Sequence, residues 1–206
     1  LQKENGIVKK EVNYPLYFRN VAEEKKPDEG STVSLWATNL SQSINPGWVI
    51  ILTPLVVAFF TFLRSRKKEP STPTKIAFGL LISALSVIVM IAAVNMGAHG
   101  SEKVSVWWLV ANYGVITIGE LFLSPMGLSV VSKLSPTNIT SLMMGGWFLS
   151  TSIGNKLSGV LASLWDTYDN KQDFFWINFG LLMFATLLMF ILLKQLNKVM
   201  QEKGIH

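Results

Sequence analysis

Five apolar stretches follow a polar segment of about forty residues, and each is close to the roughly twenty residues needed to cross the hydrocarbon of a bilayer. They cover residues 41–63, 76–96, 104–132, 139–165 and 174–193. The first is continuously apolar only from Trp48 and reaches full length by including Ser41, Gln42, Ser43 and Asn45. Its outer part is therefore expected to face water or protein rather than lipid. Residues 1–40, with mixed charge and with Pro15 and Pro27, predict an irregular extramembrane connector, with a short helix or interfacial contact around residues 14–21. The pattern predicts an all-α polytopic membrane protein whose transmembrane bundle occupies residues 41–206.

Composition supports that reading. Half of the 206 residues are hydrophobic and only 15% are charged, whereas a soluble domain carries about a quarter charged residues. The net charge of +5 does not indicate nucleic acid, because the basic residues sit in short segments between apolar runs rather than on one face. Cysteine is absent, which removes disulfides, thiolate metal sites and cysteine nucleophiles. His99 and His206 fall in a connector and in the tail, so no histidine metal cluster is expected. The first residue is Leu1, and no signal-like apolar core lies in the first forty residues. A piece of a longer membrane protein is the expectation.

The connectors set an orientation. Arg64, Arg66, Lys67, Lys68 and Lys75 crowd the first, Lys133 lies in the third, and Lys194, Lys198 and Lys203 lie in the tail. The second holds Lys103 beside Glu102, and the fourth holds Lys171 among Asp166, Asp169 and Asp173. By the positive-inside rule residue 1 is outside and residue 206 is cytoplasmic. Trp36, Trp48, Trp107, Trp108, Trp165 and Trp176 all fall at the outer boundary, as an interfacial belt would.

Only two charged residues lie deep within the spans, Glu120 and Lys156. Glu120 is about 13 residues from both Trp107 and Lys133, close to 20 Å from either boundary, which is the midplane. A carboxylate there costs a few kcal/mol and is retained only for a partner or a wet pathway. A functional role is favoured over a buried structural pair. Ser124, at i+4, shares its helix face. Pro125 follows, and its missing N–H and its clash with the preceding turn are expected to leave the carbonyl of Leu121 unpaired, a device that the broken helices of transporters use to build binding sites. Trp147 lies about 18 residues, roughly 27 Å, inward from Trp165. It either packs between helices or walls a substrate cavity. Lys156 is about 180° around the same helix from Trp147 and either snorkels, pairs across a helix interface or forms a gate. Gly146, Ser150, Gly154, Ser158 and Ala162 form a small-residue ribbon suited to close helix packing. No phosphate-binding loop, paired-histidine zinc motif or nucleophile elbow occurs, so neither an enzyme nor a bound cofactor or metal is expected.

The run from Gly119 through Glu120, Ser124, Pro125 and Gly127 to Ser129 strongly resembles the tenth transmembrane helix of the proton-coupled oligopeptide transporters of the major facilitator superfamily. Met144-Gly145-Gly146-Trp147-Phe148-Leu149 with Gly154-Asn155 resembles the eleventh helix, Gln42-Ser43-Ile44-Asn45-Pro46 the start of the eighth, and Pro70-Ser71-Thr72-Pro73-Thr74-Lys75 the cytoplasmic connector before the ninth. The likeness runs in order from about residue 42 to residue 193. It implies five helices, the eighth to the twelfth, forming most of a carboxy-terminal six-helix bundle in a multi-pass protein of the cell membrane. The amino-terminal bundle and the seventh helix would be the missing partners. The implied function is symport of di- and tripeptides with protons, with no nucleic acid involved. By the same resemblance Asn45 and Glu120 would hold the peptide's ammonium, Ser124 would line the pocket, Trp147 would form an aromatic wall, and Leu128 would lie nearer a cytoplasmic constriction. A channel or ion exchanger using Glu120 as a relay and a non-transporting membrane scaffold are the competing readings.

Overall fold

The computed structural model describes residues 2–4, 7–9, 26, 43–98, 104–168 and 170–202. It contains five long helices: α1 (Ile44–Ser65), α2 (Thr72–Met96), α3 (Trp107–Leu134), α4 (Thr140–Ser163) and α5 (Lys171–Glu202), with a short 3-10 turn over Leu164–Thr167. Residues 14–21 lie outside the described set. The polar segment is not irregular throughout: β1 (Gln2–Glu4) and β2 (Ile7–Lys9) pair antiparallel, Lys3 opposite Val8. Asn5 and Gly6, which separate them in sequence, are residue types that two-residue hairpins favour.

Four helices, α1, α2, α3 and α5, combine the length and apolarity of a membrane span. Helix α4 is long enough at 24 residues, about 36 Å, but it is less apolar, carrying Thr140, Ser150, Thr151, Ser152, Asn155 and Lys156. Helix α5 exceeds its apolar stretch at both ends and reaches Glu202. The polar extension, Lys194-Gln195-Leu196-Asn197-Lys198, is rich in good helix formers, so an already nucleated helix continues past the apolar run.

Between α2 and α3 the buried residues are mostly small, while many large apolar side chains are exposed. Ala77, Gly79, Ser83, Ala84 and Ser86 on α2, with Gly114, Thr117, Gly119 and Gly127 on α3, are buried. Ile50, Leu55, Phe59, Phe148, Leu149, Phe184 and Ile191 are exposed. This inverts the soluble pattern. In lipid, large apolar groups gain nothing by hiding from the solvent, and helices approach where side chains are short. The buried hydroxyls do not bond across helices. Ser83 donates to Gly79 O, Ser86 to Ser83 O, Thr117 to Tyr113 O and Thr186 to Leu182 O, each within its own helix.

Helix α2 is the centre of the bundle and packs most extensively on α3 and then on α5. A Cβ on Gly79 would stand 3.0 Å from Gly119 O, and one on Gly119 would stand 2.9 Å from Gly79 O and collide with Ser83 Oγ. Helix α1 runs alongside α3: Trp48 meets Gly114 and Phe60 meets Phe122, at 4.9 Å between ring centroids. Helix α4 touches the rest mainly along α3 and buries none of its residues.

Candidate functional site

Helix α3 presents one face on which Glu120, Ser124 and Gly127 recur at i, i+4 and i+7, within about 60° of one another. Gly119, next to Glu120, is packed against Gly79 and Ser83, so a close approach of two helix backbones lies immediately beside the carboxylate. That contact leaves α3 no freedom to rotate at the level of Glu120. Packing at the neighbouring residue thus sets where the carboxylate points.

At the upper end of this stripe Asn45 Nδ2 donates to Glu120 Oε2 at 3.0 Å, joining groups 75 residues apart. Linear depth places Asn45 near a boundary and Glu120 near the middle, yet they meet. Side chains on a helix lean toward its N-terminus, so Glu120 reaches back toward the end of α3 where α1 begins. Both residues are half-buried. One amide N–H occupies one carboxylate oxygen, and an ionised carboxylate offers further acceptor positions on its two oxygens. The pair therefore retains capacity for a cationic, multiply donating group.

At the lower end the Trp147 ring of α4 lies on Gly127; a Cβ at Gly127 would be 2.7 Å from Trp147 Cζ2. Trp147 is both a packing contact and a cap on the stripe. Ser124, between the two ends, is exposed, and its hydroxyl has no hydrogen-bond partner among the described residues. Leu128, half-buried, is about 80° around α3 from Glu120 and thus off the stripe. The structure brings Asn45 to Glu120 and sets Ser124 and Trp147 on the same face, with Leu128 to the side. Helix α3 runs through Pro125 as one helix over Trp107–Leu134. Lys156 is exposed on α4, and among the described residues a Cβ on Gly146 or Gly154 of the small-residue ribbon would meet nothing within 4 Å. Among the described residues, no group of three or more His, Cys, Asp or Glu side chains could hold a metal.

A second polar cluster lies at the other end of α1. Arg64 Nε donates to Glu69 Oε2 at 2.7 Å, its Nη2 donates to Glu69 Oε1 at 3.1 Å, and Lys75 Nζ also donates to Oε1. Lys75, only 5% exposed, stands 4.5 Å above the Phe60 ring. The Arg64 guanidinium, and after it the Lys75 ammonium, hold the Glu69 carboxyl at about 2, well below the ordinary carboxylate range. Sequence reading counted Lys75 as one more connector cation. The signal for its pairing was Glu69, the one acidic residue among Arg64, Arg66, Lys67 and Lys68.

Comparison with known proteins identifies the family. A family model described as the POT family matches residues 36–177. The chain is 35% identical over 132 residues to dipeptide and tripeptide permease A of Proteus mirabilis (strain HI4320), covering 64% of this chain and 26% of that protein. It is 33% identical over 132 residues to dipeptide and tripeptide permease B of Aliivibrio fischeri (strain MJ11), covering 64% of this chain and 27% of that one. Among solved structures, a POT family transporter in complex with a thioalcohol-conjugated peptide superposes with a TM-score of 0.70 at 26% identity, over 87% of this chain and 36% of that one. Peptide transporter POT in complex with sulfate gives a TM-score of 0.68 at 31% identity, over 77% and 31%. The chain spans about a quarter of the length of these curated relatives.

Proposed function

The chain belongs to the POT family and is a multi-pass membrane protein, and from that premise we propose that it forms the carboxy-terminal half of the peptide cavity in a proton-coupled symporter for di- and tripeptides. The observation that carries the reading is the Asn45–Glu120 hydrogen bond at the head of a single-faced stripe. A peptide's ammonium has three donors and one charge. It would pair with the free acceptor positions of Glu120, and a charge-assisted bond is about twice as strong as a neutral one.

The length of the stripe supports the substrate class. Glu120 and Gly127 are seven residues apart, about 10 Å of helix, and Trp147 stands at the far end. An extended tripeptide spans at most about 10–11 Å and a dipeptide about 7 Å. Ser124 would donate to or accept from the peptide backbone between the ends, and Leu128 would lie nearer the cytoplasmic constriction. Residues 1–40 would be an extracytoplasmic connector and 41–206 the bundle. In the cell (inner) membrane the amino end would be outside and the tail cytoplasmic, with the first half of the transporter closing the open face.

The full-length protein in proteoliposomes tests this directly. Uptake of a labelled dipeptide is expected, rising with an inward proton gradient. Uptake that ignores the gradient, or none at all, rejects the symport reading. Glu120→Gln should weaken binding of free-amine dipeptides by about 2–5 kcal/mol and leave amino-acetylated analogues nearly unchanged. Equal losses for both ligands would mean that Glu120 does not read the ammonium. Orientation is tested with single cysteines in intact cells. Labelling is expected at Ser101 and protection at Ser65, and the opposite pattern would invert the topology.

A further inference from the structure

A cavity of about 1140 Å³ opens between the C-terminal end of α1, the N-terminal end of α2, the last third of α3 and the end of α5. Arg64, Lys67, Lys75 and Lys133 line it, with Glu69 as their only acidic companion in the wall. Glu69 is already shared by Arg64 and Lys75, which leaves Lys67 and Lys133 without a carboxylate partner among the described residues. The first turn of α2 faces the same space through Ser71 and Thr72 and carries no acidic residue, adding partial positive charge to the wall.

The lining changes character with depth. On α3 the wall runs from Lys133 through Ser129 to Met126 and Pro125, about 12 Å of helix from the basic end toward the middle of the span. Met126, half-buried, gives the inner part a flexible apolar surface. Cations at the mouth and thioether and proline surfaces within are the chemistry of an amphiphile lying along the membrane normal. A small soluble anion would have no use for the inner half.

We propose that this cavity is a binding site for an anionic phospholipid of the leaflet at the basic end of the bundle, the cytoplasmic one by the distribution of Lys and Arg. Lys67 and Lys133 hold the headgroup phosphate, and Met126 and Pro125 contact the glycerol and the start of the acyl chains. Basic pockets between helix ends on the cytoplasmic side suit such headgroups on electrostatic grounds. The site uses none of Asn45, Glu120 or Trp147, so it stands or falls independently of the peptide reading.

The test uses the full-length protein, purified in a neutral detergent and titrated with phosphatidylglycerol, phosphatidylcholine or inorganic phosphate, with bound lipid counted by native mass spectrometry. Phosphatidylglycerol should be retained in preference to phosphatidylcholine. The double variant Lys67→Gln/Lys133→Gln should lower phosphatidylglycerol affinity about thirtyfold, from about fivefold per basic residue. Both lysines are exposed, so the folded state should survive the change. The charge-matched control Lys68→Gln/Lys194→Gln, outside the cavity wall, should lower it less than threefold. Equal losses in the two double variants would reduce the effect to general surface charge and overturn the proposal. So would displacement of the lipid by millimolar inorganic phosphate, which would mark a site for small anions, or wild-type affinity in the Lys67/Lys133 variant, as when another part of the full protein fills the cavity.

Discussion

The α2–α3 seam and helix α4 use the same kind of residue to opposite effect. On α2 and α3, Gly79, Ser83 and Gly119 bring two backbones so close that no Cβ could be added without displacement. On α4, Gly146 and Gly154 repeat the small-residue spacing, yet a Cβ at either would meet nothing. The seam is complete within this chain, whereas α4 is held by little more than Trp147 lying on Gly127. Small-residue spacing identifies a surface able to pack closely; only a neighbour of the right shape makes it a contact.

The largest expected effect breaks the seam. Gly119→Leu should destabilise the full-length protein by about 3 kcal/mol or more, since overpacking typically costs about 1–3 kcal/mol and the obstacle here includes backbone. Gly154→Leu should change thermal unfolding by less than about 0.5 kcal/mol. If the two variants unfold alike, α4's ribbon is packed against a part of the protein beyond this chain, and the contrast dissolves. An intermediate effect is expected at α4's one firm contact. Gly127→Ala should push the Trp147 ring aside and cost about 1–3 kcal/mol in stability. Peptide affinity falling with it, and more than in Trp165→Ala, would make Trp147 a cavity wall. Unchanged affinity would leave it a packing residue. The smallest effect belongs to the ionic cluster that joins α1 to the start of α2. Because Glu69 titrates at about 2, below the ordinary 4.5, its contribution is fully present above about pH 4.5 and is lost as pH falls toward 2. Glu69→Gln should lower stability at neutral pH, where the wild-type contribution is fully present, flatten the acid limb of the stability curve and leave stability near pH 2 nearly unchanged. A limb of undiminished slope would show that other carboxylates dominate it.

Much of the architecture was legible because bilayer thickness imposes a length on apolar runs. Five stretches become five helices, and Glu120 is conspicuous because a carboxylate is costly where the run places it. Its pairing with Asn45 was not legible from linear depth, which ignores both helix crossing and the lean of the side chain. The resemblance to a known family put both residues near the peptide's ammonium but did not pair them with each other. The small-residue rule pointed to α4, where the ribbon is longest, and passed over Gly79 and Ser83, which show the same four-residue spacing on α2. Which neighbour such a face meets, here Gly119 of α3, is set by another helix and is not written in the spacing of one.

The closure of Ser83, Ser86 and Thr117 onto their own backbones has a mechanical consequence. A seam whose polar atoms are all satisfied internally has no hydrogen bonds to exchange when its two sides shift, so an axial displacement of α2 against α3 is opposed by shape alone. The Gly79–Gly119 notch sets the stop, because a slide of about 1.5 Å, one residue of rise, carries the notch toward the bulkier neighbours Phe78 and Leu80. Within that limit the helices form a low-friction bearing. Glu120, fixed beside the notch, would travel with it, so small shear of the bundle would become displacement of the carboxylate itself.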